Sequence, residues 1–140
     1  MYTVTRELAF CYGHRLLDHG GKCGRIHGHN GLLRVTLASE SLDRIGMVVD
    51  FLDIKKALQR WIDDTLDHRL LLRRSDPAVE PLQAIEEEVC VVDFNPTAEN
   101  IARHVCEHLE LAGLPVVEVS LWETSTCAAS YRPSDEETVD

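Results

Sequence analysis

The sequence lacks the features that mark several classes of protein. It has no Cys-x-x-Cys pair, and its five cysteines are an odd count that argues against a disulfide framework and favours a reducing compartment. No apolar run approaches the length of a membrane span, so no membrane partner is expected. The N-terminal residues form no basic, apolar signal region, and we therefore expect a cytoplasmic protein.

Basic residues are scarce relative to acidic ones. The chain has 14 lysines and arginines against 24 aspartates and glutamates, which gives a formal net charge of −10. Nucleic acids and anionic membranes bind basic surfaces, so neither is expected as a partner. Arg15, Lys22 and Arg25 nevertheless surround a group of histidines, where they offer local positive charge to an anionic small molecule.

Hydrophobic periodicity predicts both strands and helices. Strands with one buried face are expected over four segments: residues 2–12, 29–39, 116–122 and 128–131. One amphipathic helix is expected after the cap residue Asp50, and a second between Thr97 and Gly113. A further short strand is expected at Val89–Val92, inside an otherwise irregular and charge-rich loop.

The order of the main elements is strand, strand, helix, helix, strand, strand. This ββααββ order predicts an α+β fold, with a four-stranded antiparallel sheet and both helices on one face. Four strands leave open sheet edges, which favours pairing between subunits, so we expect a homo-oligomer. The length of 140 residues predicts a single domain over residues 1–132 and an acidic tail over residues 133–140.

The most informative segment holds three histidines and a thiol within sixteen positions: His14, Cys23, His27 and His29. Imidazole is a good zinc ligand, and three protein ligands leave a fourth position free for a substrate oxygen. Side chains two apart on a strand project from one face, so His27 and His29 can reach the same ion. The segment therefore predicts an open zinc site.

Cys23 has two possible roles in this prediction. It can act as a proton acceptor, or it can be a fourth zinc ligand that closes the site and makes it structural. Cys11 is another possible fourth ligand, but its strand parity is opposite to that of His14, so we rank it low. Buried histidines without a metal are the alternative to the zinc site.

Six sequence blocks resemble the 6-pyruvoyltetrahydropterin synthase / 6-carboxytetrahydropterin synthase family over about residues 2–131. The blocks are Phe-x-x-x-His-Arg-Leu at 10–16, Lys-Cys-Gly-Arg-Ile-His-Gly-His at 22–29, Asp50-Phe51, Leu66-Asp67-His68, Asn-Pro-Thr-Ala-Glu-Asn at 95–100, and Trp122-Glu123-Thr124. The resemblance implies the tunnelling fold (T-fold), in which the sheets of a trimer close into a barrel and trimers stack into hexamers.

The spacing of three residues between Cys23 and His27 resembles the bacterial 6-carboxytetrahydropterin synthases of the queuosine pathway. That branch implies a zinc-dependent lyase that converts 7,8-dihydroneopterin triphosphate to 6-carboxy-5,6,7,8-tetrahydropterin, releasing triphosphate and acetaldehyde. The pyruvoyl branch, which eliminates triphosphate and keeps the side chain, is the alternative. A non-catalytic binding module stabilised by zinc, with Cys23 as a ligand, is a second alternative.

The resemblance implies roles for the metal and proton-transfer residues. His14, His27 and His29 correspond to the zinc ligands of the family, and Cys23 corresponds to its proton acceptor. Asp67 and His68 resemble the Asp-His pair that completes the family's proton relay, which in relatives comes from a neighbouring subunit. Without the resemblance, an Asp-His pair at a helix end is more often a cap and a surface residue.

The resemblance also implies a pterin-binding group. Glu123 corresponds to the carboxylate that anchors the pterin ring in the family. A carboxylate suits this role because it accepts paired hydrogen bonds from a ring N–H and the adjacent amino group. Thr97 and Glu99 match the family's pterin-contacting block, although Thr97 is equally well explained as a helix cap. Before His14 the chain carries Cys11-Tyr12-Gly13, where many relatives have small residues, and this departure could reshape the pocket wall.

Overall fold

The computed structural model describes residues 1–134, which form six strands and three α-helices. The strands are β1 (Tyr2–His14), β2 (His27–Ser39), β3 (Arg69–Arg73), β4 (Val89–Val92), β5 (Val116–Trp122) and β6 (Ala128–Tyr131). The helices are α1 (Phe51–Thr65), α2 (Val79–Ala84) and α3 (Ala98–Leu111), and a single 3-10 turn spans Lys22–Gly24. Within residues 1–134, no helix is long and apolar enough to cross a membrane.

The strands form one mixed sheet in the order β4-β3-β1-β2-β5-β6. The α+β class is confirmed, but the prediction of a four-stranded antiparallel sheet is wrong, because the sheet has six strands. Strands β1, β3 and β4 pair in parallel. The strand β3 was missed because its three consecutive leucines, Leu70–Leu72, do not alternate with polar residues. Strand β4 was expected at Val89–Val92 but was not counted among the strands of the sheet, of which it forms one end.

Both long helices begin at the predicted cap residues. The Asp50 carboxylate accepts a hydrogen bond from the Leu52 N–H at 2.9 Å, and the Thr97 hydroxyl accepts one from the Asn100 N–H at 3.2 Å. These side chains satisfy backbone donors that the first turn of a helix leaves unpaired. Helix α1 buries one face, with Ile54 and Leu58 fully inaccessible to solvent in the core.

The core lies between the helices and one face of the long β1–β2 hairpin. Leu8, Phe10 and Tyr12 of β1 are at most 7% exposed, and they share their face with Leu33 and Val35 of β2. Burial along both strands alternates with the side-chain period of two. The register of the hairpin therefore determines which side chains reach the interior near its connecting segment, where the histidines lie.

A buried ion pair fixes the chain that leaves β1. The Asp76 side chain is inaccessible to solvent, and its carboxylate accepts a bond from Arg15 Nε at 2.7 Å and a second from the same guanidinium. The N–H of Ala78 also donates to Asp76, at 2.8 Å. The hydrogen bonds from Arg15 lower the pKa of Asp76. The Arg15 side chain is thus held by its ion pair with Asp76.

Six of the eight residues of the predicted acidic tail, residues 135–140, lie outside the described residues. Residues 133–134 belong to no helix or strand. The single-domain boundary at residue 132 therefore stays a prediction.

Asp76→Ala should lower the free energy of unfolding by about 3 kcal/mol, because it leaves the Arg15 charge partly buried without its partner. Urea denaturation at pH 7 measures this change. The matched control is Asp93→Ala, which removes the exposed partner of Arg74 and should cost less than about 1 kcal/mol. Because the pKa of Asp76 is lowered, its contribution should be present above about pH 4 and disappear as the pH falls through the folded-state value. Equal losses for both variants would contradict the structural role of Asp76.

Candidate functional site

Three imidazoles converge at the end of the β1–β2 hairpin where the connecting segment 15–26 joins the two strands. The antiparallel register pairs His14 with His27 and Tyr12 with His29, so all three histidines project from the core face of the sheet. Nε2 of His14 lies 3.0 Å from Nε2 of His27 and 3.2 Å from Nε2 of His29. His14 is 1% exposed, and the other two are half-buried. The structure thus brings together the three predicted metal ligands.

Backbone carbonyls define the tautomers of two of these rings. Nδ1 of His14 lies 2.7 Å from the carbonyl oxygen of Pro96, and Nδ1 of His27 lies 2.7 Å from that of Arg25. A carbonyl only accepts hydrogen bonds, so in both neutral rings Nδ1 carries the hydrogen and Nε2 carries the lone pair. The two lone pairs therefore face each other across 3.0 Å.

Such a contact between two acceptors is unfavourable unless a cation lies between them. A proton is one candidate, but burial lowers the pKa of His14, and the neighbouring rings lower it further. A metal ion is the other, and carbonyl-oriented imidazoles with inward Nε2 atoms are the usual arrangement around zinc. The donor set of His14, His27 and His29 therefore fits a metal ion.

A carboxylate lies beside this cluster. The Glu123 oxygens are 3.9 Å from Nε2 of His14 and 3.8 Å from Nε2 of His29. Glu123 follows the last residue of β5, and its N–H donates to the carbonyl of Cys127 at 3.0 Å, which closes the β5–β6 connection. Its side chain is 27% exposed, so it can reach a bound molecule.

Glu123, Thr97 and Glu99, the three residues predicted to contact a pterin, line one cavity of about 350 Å³. Leu16, Cys127 and three alanines complete its wall. Thr97 and Glu99 lie at the beginning of helix α3, where unpaired backbone N–H groups and the helix dipole favour acceptor atoms of a ligand. The cavity thus combines a few polar side chains with small apolar ones.

Asp67 and His68 form a hydrogen-bonded pair between α1 and β3. Nδ1 of His68 lies 2.8 Å from Oδ2 of Asp67, so the ring donates through Nδ1 and leaves Nε2 free. The side chain of His68 is 78% exposed. Burial alone would raise the pKa of Asp67, but hydrogen bonds from His68 and from the Cys11 N–H lower it on balance.

Cys11 supports this pair in a way that the sequence did not reveal. Its N–H donates to Oδ1 of Asp67 at 3.0 Å, and its carbonyl accepts the N–H of His68 at 2.7 Å. The Cys11 sulfur belongs to a second group of ligand-type atoms with Asp67 and His68, separate from the histidine group. The low rank given to Cys11 as a zinc ligand agrees with this position. The sequence signal for this position was the strand parity of Cys11, which is opposite to that of His14.

A second cavity, of about 570 Å³, lies beside His68. Its lining includes His68, Cys11 and Asn30, together with residues 26–29 at the beginning of β2. His68 therefore borders the end of the hairpin that carries the histidine cluster.

Cys23 lies in the 3-10 turn and is half-buried. Its carbonyl accepts the Leu16 N–H at 2.8 Å, which ties the turn to the end of β1. Among residues 1–134, its sulfur belongs to no group of metal-ligand atoms lying within 4.8 Å of one another. The structure therefore does not bring Cys23 into the histidine cluster as a fourth ligand.

The curled mixed sheet and its helices define a class, the T-fold proteins. A crystal structure of an uncharacterized protein from Wolinella succinogenes has a TM-score of 0.81 and 28% identity, covering 95% of this chain and 98% of that one. The structure of 6-pyruvoyl tetrahydropterin synthase from Caenorhabditis elegans has a TM-score of 0.71 and 28% identity, with 95% and 96% covered.

The sequence places the chain within that class. The profile described as 6-pyruvoyl tetrahydropterin synthase matches residues 3–134, and the chain belongs to this family. A curated relative from Rickettsia bellii, named 6-carboxy-5,6,7,8-tetrahydropterin synthase, is 38% identical over 136 residues, covering 91% of this chain and 97% of the relative. The predicted family resemblance is confirmed.

His29→Ala should weaken zinc binding by at least about a hundredfold, because it removes one of three convergent donors. Competition with a chromophoric chelator measures the affinity, and elemental analysis gives the ion content. The control is His19→Ala, an exposed histidine before the 3-10 turn that should leave zinc binding unchanged. Equal zinc affinity in the His29 variant and the unmodified protein would rule out the cluster as the metal site.

Proposed function

We propose that the protein is a zinc-dependent lyase that converts 7,8-dihydroneopterin triphosphate and water to 6-carboxy-5,6,7,8-tetrahydropterin, triphosphate and acetaldehyde. One observation carries the proposal: a carboxylate suited to a pterin ring lies 3.8 Å from an imidazole cluster suited to zinc. The curated relatives named 6-carboxy-5,6,7,8-tetrahydropterin synthase support the choice of product.

Glu123 is the proposed anchor of the pterin ring. Its two oxygens can accept parallel hydrogen bonds from a ring N–H and the adjacent amino group, an arrangement that fixes orientation as well as position. Thr97 and Glu99, in the same cavity, are the proposed additional contacts to the ring. Two of the imidazoles lie within 3.9 Å of the Glu123 oxygens, so the proposed ring anchor and the proposed zinc ligands belong to one site.

His14, His27 and His29 are the proposed zinc ligands. Neutral imidazole nitrogens suit zinc, and three protein ligands leave a position for oxygens of the substrate side chain. When bound, zinc would supply Lewis-acid polarisation of those oxygens and lower their pKa. Pro96 and Arg25 then act as the acceptors that orient two of the ligand rings.

Proton transfers are assigned to Cys23 and to the Asp67–His68 pair. Because His68 donates through Nδ1 to Asp67, its Nε2 atom is free to accept a proton from the substrate and to return it. Cys23 is the proposed acceptor of a proton from the substrate side chain. The backbone of Cys11 keeps Asp67 in place as the proton moves.

We also propose that the protein works as a cytoplasmic homo-oligomer, a trimer or a hexamer. Within the described residues, β4 and β6 are the two ends of the sheet, and each offers backbone groups to a second copy. His68 is highly exposed in a single chain, which fits a role at a site completed by a neighbouring subunit.

Incubation of the zinc-loaded protein with 7,8-dihydroneopterin triphosphate should yield 6-carboxytetrahydropterin and acetaldehyde in equal amounts. Mass spectrometry identifies the pterin, and derivatisation with a hydrazine quantifies the aldehyde. Formation of 6-pyruvoyltetrahydropterin without acetaldehyde would instead support the pyruvoyl branch. If neither pterin product forms, the proposed function is wrong, although the fold and the metal site could still stand.

Cys23→Ala should reduce kcat by at least about a hundredfold, as expected for loss of a general base, and should leave zinc content and thermal stability unchanged. Product formation in timed assays measures kcat, elemental analysis measures the zinc content, and thermal denaturation measures the stability. Cys90→Ala, at a half-buried cysteine in strand β4, is the matched control and should retain turnover. Loss of zinc and of stability in the Cys23 variant would favour the non-catalytic binding module.

A further inference from the structure

The hydroxyl of Tyr12 is a buried polar group for which the fold supplies no partner. Tyr12 is 3% exposed, and its hydroxyl oxygen is inaccessible to solvent without a hydrogen-bond partner among the described residues. A buried unpaired hydroxyl is costly, because it has lost its bonds to water without replacement. A phenylalanine would pack in the same place without this cost, so the hydroxyl calls for an explanation.

The ring of Tyr12 lies next to the metal site. Its centroid is 5.2 Å from that of His14 and 5.6 Å from that of His29, and it stacks on Phe10 at 5.1 Å. Gly31 on the neighbouring strand makes room for it, since a Cβ atom there would lie only 3.0 Å from Cε1 of Tyr12. The pair of Tyr12 and Gly31 therefore fixes an aromatic ring against two of the proposed metal ligands.

The Glu123 carboxylate is the charged acceptor near this hydroxyl. Burial raises the pKa of Tyr12, and the adjacent charge of Glu123 raises it further. The same carboxylate is within 3.9 Å of both His14 and His29, the two rings that Tyr12 contacts. The phenol and the Glu123 carboxylate therefore adjoin the same two imidazoles.

We infer that Tyr12 is a positioning residue for Glu123: when a pterin ring binds, the Tyr12 hydroxyl takes the carboxylate as its acceptor, and this bond turns the remaining lone pairs of the carboxylate toward the ring. A carboxylate has about four acceptor sites, so it can take this bond together with the two from the ring. The inference rests on the proposed function, since it assigns Tyr12 a role at the proposed ring anchor.

The position of Glu123 gives this bond a second purpose. A carboxylate 3.8 Å from an imidazole Nε2 needs only a small shift to approach an ion held by the same nitrogen. As a fourth ligand it would close the open site and leave the ring without its anchor. A hydrogen bond from Tyr12 holds the carboxylate in the orientation that binds the ring.

Tyr12→Phe removes only the hydroxyl and tests the inference directly. The probe is 7,8-dihydroneopterin, which lacks the triphosphate, and its dissociation constant is measured by fluorescence titration of the zinc-loaded protein. We expect about tenfold weaker binding and a similar rise in KM, with kcat changed less than about twofold, because a bond to a charged group is lost equally in the bound and reacting states. Zinc content should stay unchanged.

Two further variants separate positioning from packing. Tyr2→Phe removes an exposed hydroxyl at the beginning of the same strand and should bind dihydroneopterin as the unmodified protein does. Glu123→Gln weakens binding by itself, and adding Tyr12→Phe to it should produce little further loss if the hydroxyl acts through the carboxylate. A structural role for Tyr12 would instead give the same loss in both backgrounds.

Three results would overturn the inference. The first is a Tyr12→Phe variant that binds dihydroneopterin as tightly as the unmodified protein, which leaves the proposed function intact. The second is a Tyr12→Phe change that weakens dihydroneopterin binding as much in the Glu123→Gln background as in the unmodified protein. The third is a loss of zinc from the Tyr12→Phe variant that accounts for its weaker binding. Failure of the unmodified protein to bind dihydroneopterin at all would contradict the proposed function itself, together with this role of Tyr12.

Discussion

The site depends on two backbone carbonyls that determine where imidazole lone pairs point. Pro96 and Arg25 accept hydrogen bonds from Nδ1 of His14 and His27, which leaves the two Nε2 lone pairs only 3.0 Å apart. Two facing acceptors in a largely buried position are stable only with a cation between them. The histidine cluster therefore has the donor geometry of a metal site, and the proposed chemistry starts from that geometry.

The long hairpin makes this convergence possible. In the β1–β2 register, His14 lies opposite His27. Because side chains alternate along a strand, the three histidines lie on the same face of the sheet as the hydrophobic core. The buried ring of Tyr12, itself stacked on Phe10, consequently packs against His14 and His29. The Arg15–Asp76 pair fixes the chain immediately after His14. The β1–β2 hairpin thus determines both the packing of the core and the positions of the histidines.

Some of this structure was predictable from sequence, and some was not. The caps at Asp50 and Thr97 and the family were predicted correctly, because each depends on local spacing or on a distinctive motif. The convergence of His14, His27 and His29 also followed from their spacing, and their role as metal ligands stays a prediction. The parallel strand β3 was missed, since a strand buried among neighbours has no alternation to detect. The links from Cys11 to Asp67 and from Arg15 to Asp76 join residues more than 50 positions apart, and one sequence contains no signal for such pairs.

Anomalous diffraction at the zinc absorption edge, from crystals of the zinc-loaded protein, tests the metal centre most directly. We expect a single strong peak about 2.0–2.1 Å from Nε2 of His14, His27 and His29, with its fourth position open to solvent or substrate. A peak coordinated by the Cys23 sulfur, or one located away from these three nitrogens, would contradict an open catalytic zinc site.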